Sequence, residues 1–143
     1  MSMEIKKVAV LGTGVMGSQI AAHLTNANIE VYAFDMSQEV AEKGIEECEK
    51  LKPGPFYNLK SSKLITPLNY DDHLDKINEC DWIVEVISER LDWKHDLYKK
   101  ILPHINDNCI ITSNTSGLSL ESLSKDLPDN FLDKFFITHF FNP

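Results

Sequence analysis

Short apolar runs alternate with stretches whose apolar residues recur at helical spacing from one end of the chain to the other. Val8 to Leu11 is continuously apolar, as expected of a strand covered on both faces. Met16, Ile20 and Leu24 form a helix stripe, and Asn26-Ala27-Asn28 offers a stop, because asparagine tolerates the left-handed conformation of helix caps. Ile29 to Phe34 reads as a second strand ending at Asp35. Ser37 offers an N-cap for a helix reaching about Leu51, where Pro53-Gly54-Pro55 breaks it and a loop runs to Lys63.

Leu64 to Thr66 reads as a short strand before Pro67, and Tyr70 to Ile77 as a polar helix. Trp82 to Ile87 is the most strand-like run in the chain. Trp93, Leu97 and Ile101 define a helix from Trp93 to Leu102, closed by Pro103. Cys109 to Thr112 predicts a strand, and Leu118 before Ser119 resembles a hydrophobic staple at an N-cap, giving a helix to Lys125. Phe135 to Phe140 predicts the last strand, with His139 at its carboxyl end. Repeated strand–helix units imply right-handed crossovers. The expected fold is α/β, one doubly wound domain over residues 1–143 with a mostly parallel sheet.

Composition narrows what such a domain does. With 14 Lys+Arg against 22 Asp+Glu, the net charge of −8 disfavours nucleic acid and anionic membranes, which need clustered cations. The apolar runs fall far short of the ~20 residues of a membrane span, and no signal peptide is visible. Cys48, Cys80 and Cys109 lack metal-ligand spacing, so no metal is expected; they read as buried or incidental thiols in a reducing compartment, with cytoplasm the default.

Three places carry candidate chemistry. Gly12-x-Gly14-x-x-Gly17 follows a strand and opens a helix, with Asp35 18 residues past Gly17 at the end of the next strand. That is the context a dinucleotide turn requires. Gly12 would permit the tight turn, Gly14 the approach of a pyrophosphate to the helix end, and Gly17 close helix–strand packing. Asp35 would accept both ribose hydroxyls and repel a 2′-phosphate, and Met36, Ser37 and Gln38 offer no arginine, so the cofactor reads as NAD. Asn114-Thr115-Ser116-Gly117 alone is an ordinary polar loop or a polar edge of the site. Glu89 and Lys94 alone fit a solvated helix start. His139 alone fits a core histidine as well as a base.

Together these segments resemble the N-terminal NAD-binding domain of the L-3-hydroxyacyl-CoA dehydrogenases, a Rossmann fold, over nearly the whole chain. The resemblance rests on Val8 to Gly17, on Asp81 to Lys94, on Thr112 to Ser116 and on His139-Phe140-Phe141-Asn142-Pro143. Lys52 to Tyr57 and Leu64 to Pro67 are most like longer members that carry a fused enoyl-CoA hydratase module. The resemblance implies oxidation of (S)-3-hydroxyacyl-CoA to 3-oxoacyl-CoA with NAD, in fatty-acid or butanoate metabolism. It places His139 as the general base for the 3-hydroxyl, Ser116 against the reacting hydroxyl and the cofactor, and Asn142 beside the nicotinamide and the histidine. Val15 and Met16 join the three glycines in the cofactor turn, and Glu89 and Lys94 contact the ribose and phosphate region. Gly117 stands where the family commonly has serine.

The family's orienting glutamate, a dozen residues past the histidine, and its helical C-terminal domain, with the acyl-CoA cleft and the homodimer contact, have no counterpart in these residues. The chain is therefore expected to be part of a longer enzyme, binding NAD with little turnover by itself. Two other readings compete with this one. One is a stand-alone NAD-binding or sensor module without catalysis, and the other a related dehydrogenase of 3-hydroxy acids or sugar acids.

Overall fold

The computed structural model describes residues 4–51, 59–125 and 127–138. Six strands form one sheet in which every pairing is parallel. They are β1 (Lys7–Leu11), β2 (Glu30–Asp35), β3 (Ile65–Asn69), β4 (Trp82–Glu85), β5 (Ile110–Ser113) and β6 (Phe135–Ile137). The spatial order is β3-β2-β1-β4-β5-β6. The chain therefore winds outward from β1 in one direction and then crosses back to β4, leaving a crevice where the order reverses. The doubly wound expectation holds, with a sheet that is wholly parallel.

Alternation along the strands sends side chains into two cores. Val8, Val10, Val31, Ala33 and Val84 pack on one face under helices α1 (Val15–Asn26) and α2 (Gln38–Glu49). Ala9, Leu11, Phe34 and Ile83 face the other way. There they meet Leu97, Tyr98 and Ile101 of the helix at Leu91–Ile101, which follows the short helix α3 (Tyr70–His73) and is numbered α4. Both faces of the central strands are dry, which is why they read as unbroken apolar runs.

The boundaries follow local chemistry. Asn28, at φ 62°, takes the left-handed cap expected after α1. Ser37 caps α2 by accepting from the Val40 N–H at 3.2 Å. Ser119 likewise accepts from Ser122 N–H at 3.1 Å to start α5 (Leu120–Ser124).

Three expectations change. β3 runs through Pro67 to Asn69, because it is the edge strand, where proline's missing N–H costs no central ladder bond. The Pro67 carbonyl instead accepts from Gln38 Nε2 at 2.7 Å. The segment after it is not one helix to Ile77. Asn69 caps α3 through Asp72 N–H, and after His73 the chain tightens into a 3-10 turn over Leu74–Glu79. A short helix α6 (Asp129–Leu132), unseen in the sequence pattern, places Phe131 against Phe135 and Tyr98. β6 is described to Ile137, so the expected strand end at His139 lies outside the described residues.

Among the described residues no helix is long and apolar enough to cross a membrane. The three cysteines are free and buried, and burial pushes the Cys80 and Cys109 thiols up to about 12.

The β1–α1 turn leaves a sharp test. A Cβ on Gly17 would stand 1.9 Å from the Gly12 carbonyl oxygen, backbone that cannot step aside, whereas one on Gly14 meets nothing within 4 Å. Gly17→Ala is expected to lower stability by about 1–3 kcal/mol. Gly14→Ala, at the N-cap, should cost less than about 1 kcal/mol. Urea denaturation of both variants checks the order, and a Gly14→Ala loss as large as that of Gly17→Ala contradicts it.

Candidate functional site

The crevice at the β1–β4 switch opens into a cleft of about 540 Å³. Gly12, Gly14 and Asp35 line it, facing Val86, Ile87 and Trp93 across the gap. Gly12 is pinned between two strands, its N–H donating to Phe34 O at 2.8 Å while Val86 N–H donates to Leu11 O at 2.8 Å. It holds φ +112°, and a Cβ there would lie 2.9 Å from Val86 O, so only glycine fits. α1 begins at Val15 and Met16 with Gly14 as its N-cap; no side chain caps it and no acid stands in its first turn. A helix start of that kind keeps N–H groups and the positive dipole end for an anion. The open space at Gly14 lets a pyrophosphate reach them.

Asp35 is held rather than free. Its Oδ2 accepts from the Thr13 N–H at 2.8 Å and from Thr13 Oγ1 at 2.7 Å, and its Oδ1 accepts from the Met36 N–H at 2.8 Å. The carboxylate thus enters the cleft already oriented by the glycine turn. Gly44 of α2 makes this possible, since a Cβ there would fall 2.3 Å from Thr13 O. Neither Thr13 nor Gly44 was singled out from sequence, because a threonine between two glycines and a glycine within a helix carry no chemistry of their own. The cofactor fits these residues: an oriented carboxylate for ribose hydroxyls, an uncapped helix end, and a turn with room for phosphate.

The β4–β5 side of the crevice is built on a buried carboxylate. Glu85 and Lys94 have fully buried side chains, with Lys94 Nζ 2.6 Å from Glu85 Oε2. Tyr98 OH donates to Glu85 Oε1 at 2.5 Å, Ser113 Oγ at 2.7 Å, and the Ile87 N–H to Oε2 at 2.9 Å. Lys94 Nζ also lies 3.5 Å from Glu89 Oε1. Glu89 in turn accepts from Thr115 Oγ1 at 2.7 Å and from the Gly117 N–H at 3.2 Å. Partial burial works against the Glu89 carboxylate, but the bonds from Thr115, Gly117 and Lys94 outweigh it and hold the carboxyl below its ordinary range.

The expected site residues are therefore placed unequally. Gly12, Gly14 and Asp35 share one cleft, and Gly17 packs beneath it. Glu89 is tied to the loop that presents Ser116, which is exposed just past β5. Lys94 is enclosed beneath that loop and has no solvent-exposed surface. His139 and Asn142 lie outside the described residues. Glu85, Tyr98 and Ser113 were missed; the only trace of them in the sequence is a glutamate inside an apolar strand run.

The Glu85 cluster predicts an asymmetry. Glu85→Leu strands the Lys94 ammonium and two hydroxyls in the core, and removing one partner of a buried pair costs about 3–5 kcal/mol. Lys94→Met leaves the carboxylate its three other donors and is expected to cost less. Urea unfolding of the two variants measures this; a larger loss for Lys94→Met contradicts the assignment.

Comparison with known proteins agrees with this geometry. The family described as 3-hydroxyacyl-CoA dehydrogenase, NAD binding domain, matches residues 7–143. A protein named for a fatty acid oxidation complex trifunctional enzyme in Rickettsia felis is 43% identical over 150 residues, covering 100% of this chain and 21% of the relative. One named for a 3-hydroxyacyl-CoA dehydrogenase in Deinococcus radiodurans is 38% identical, over 99% of this chain and 43% of the relative. Among solved structures, the dehydrogenase part of multifunctional enzyme 1 from C. elegans superposes with a TM-score of 0.81 at 26% identity, over 100% of this chain and 33% of that one. The chain thus spans about a fifth to under half of the length of these relatives. It belongs to the family of 3-hydroxyacyl-CoA dehydrogenase NAD-binding domains.

Proposed function

We propose that this domain binds NAD and serves as the cofactor-binding part of a 3-hydroxyacyl-CoA dehydrogenase that oxidises (S)-3-hydroxyacyl-CoA to 3-oxoacyl-CoA in fatty-acid breakdown. The observation that carries the reading is the joining of Asp35 to the glycine turn through Thr13, at the mouth of an uncapped helix. A carboxylate fixed there accepts ribose hydroxyls and repels a 2′-phosphate, which favours NAD over NADP.

NAD supplies the acceptor for the hydride leaving C3 of the substrate. The protein's own residues divide the remaining work. His139 takes the proton of the 3-hydroxyl, a role that suits an imidazole of near-neutral pKa. Ser116 holds that hydroxyl at the carboxyl edge of β5, on a loop tied down by Glu89 through Thr115 and Gly117. Lys94 positions Glu89 from below, and Asn142 orients groups around the histidine. The roles of His139 and Asn142 rest on the family resemblance. The acyl-CoA cleft and a homodimer contact belong, in this reading, to the larger enzyme the domain serves, working in the cytoplasm.

Asp35→Ala is expected to weaken NAD about 10-fold or more, since it removes charge-assisted hydrogen bonds, while narrowing the preference over NADP. Thr13→Val should move both quantities the same way by less. Parallel titrations with the two cofactors check this, and unchanged ratios would refute the carboxylate's role. In the full-length protein, His139→Ala should lower kcat about 10²–10⁴-fold with NAD affinity nearly unchanged. A large loss of NAD affinity would mark His139 as structural instead.

A further inference from the structure

Ser116 is exposed in the bend between β5 and α5, so burial does not hold it and its place is set by the residues on either side. The Asn114 N–H donates to the Glu85 carbonyl at 2.8 Å, carrying the strand pairing one residue past β5. Thr115, which follows, is 4% exposed, and its hydroxyl is used in both directions. Oγ1 donates to Glu89 Oε2 at 2.7 Å and accepts from the Leu118 N–H at 3.2 Å. The second bond closes a turn over residues 115–118, with Ser116 and Gly117 inside it. The Gly117 N–H donates to the same Glu89 oxygen at 3.2 Å. One hydroxyl and one carboxylate oxygen therefore grip the chain immediately before and after Ser116.

Filling the buried space does not require that hydroxyl, since valine has nearly the same shape. What distinguishes threonine here is the pair of bonds, and both stay within the loop and its anchor rather than tying the sheet to a helix. The anchor is held independently, because Glu89 Oε1 lies 3.5 Å from the buried Lys94 ammonium. Removing the Thr115 hydroxyl thus loosens the loop while leaving its support in place. A reacting group displaced by about 1 Å loses up to about 100-fold in rate, so a loop of this kind gains from being fixed before substrate arrives.

We propose that Thr115 is a positioning residue for the reaction, its hydroxyl holding the loop in the geometry that brings Ser116 to the substrate's 3-hydroxyl. This role rests on the part proposed above for Ser116 and supplies the group that fixes that serine.

The test uses the full-length protein, (S)-3-hydroxybutyryl-CoA and NAD. Thr115→Val removes both bonds at nearly constant shape, and Thr115→Ser keeps them. Without ligand, hydrogen exchange at the Gly117 and Leu118 amides should quicken at least about 5-fold in Thr115→Val and stay near wild type in Thr115→Ser. Thr115→Val should lower kcat at least about 5-fold with NAD affinity changed less than about 3-fold, and Thr115→Ser should recover it. Beside Ser116→Ala, adding Thr115→Val should lower kcat by less than about 2-fold more, because the threonine acts through the serine. Smaller changes in exchange or kcat overturn the assignment, as does a Thr115→Ser protein as impaired as Thr115→Val. A loss that persists beside Ser116→Ala, a larger loss of NAD affinity or a Thr115→Val chain that does not fold marks the hydroxyl as structural and also overturns it. If the wild type does not turn over this substrate, or Ser116→Ala leaves kcat unchanged, the part proposed for Ser116 falls and this assignment with it. If Ser116→Ala lowers kcat and Thr115→Val does not, only this assignment falls.

Discussion

The carboxyl edge of this sheet is organised around one buried negative charge. Glu85, the last residue of β4, collects the ammonium of Lys94, the hydroxyls of Tyr98 and Ser113 and the Ile87 N–H. These donors come from α4, from β5 and from the turn leaving β4, so one side chain fixes three elements against each other. A charge so deep is tolerated only because its lone pairs are filled; the same group with one donor would be a large liability. Its ordering extends outward through Lys94 to Glu89, and from Glu89 to Thr115 and Gly117, which bracket Ser116. A rigid core charge thereby sets the position of the exposed loop at Ser116.

The opposite wall of the crevice uses the same logic nearer the surface. Asp35 is oriented by two hydrogen bonds from Thr13 and a third from the Met36 N–H. Thr13 reaches it because α2 lies close to the glycine turn at Gly44, where no larger residue fits without a shift. The crevice is thus bounded by an oriented acid at the end of β2 and by Val86, Ile87 and Ser88 beyond β4. Between them lies the uncapped start of α1. That arrangement suits a long, mixed ligand with a ribose, a pyrophosphate and a flat base, and each part meets a different kind of surface.

Much of this was legible in the sequence, for identifiable reasons. Strands covered on both faces appear as apolar runs, so β1, β2, β4 and β5 were visible, as was the alternation that implies a parallel sheet. The glycine turn and Asp35 were legible because their chemistry is set by spacing along the chain. Pro67 was misread as a strand end, since nothing local says that β3 lies at an edge. The Glu85 cluster was illegible because its partners stand 9, 13 and 28 residues away and meet only in the folded sheet. Lys94 looked like a solvated helix-start charge for the same reason.

The proposed function puts NAD in the crevice between Asp35 and Ile87, across the start of α1. An NMR titration of the isotopically labelled protein with NAD tests it most directly. NAD bound there is expected to give saturable shifts of the backbone amides of Thr13 to Gly17, of Met36 and of Ile87 to Glu89, with little change at Lys7 or Asp81 at the opposite end of the strands. Shifts centred on that opposite end, or none at saturating NAD, would contradict it.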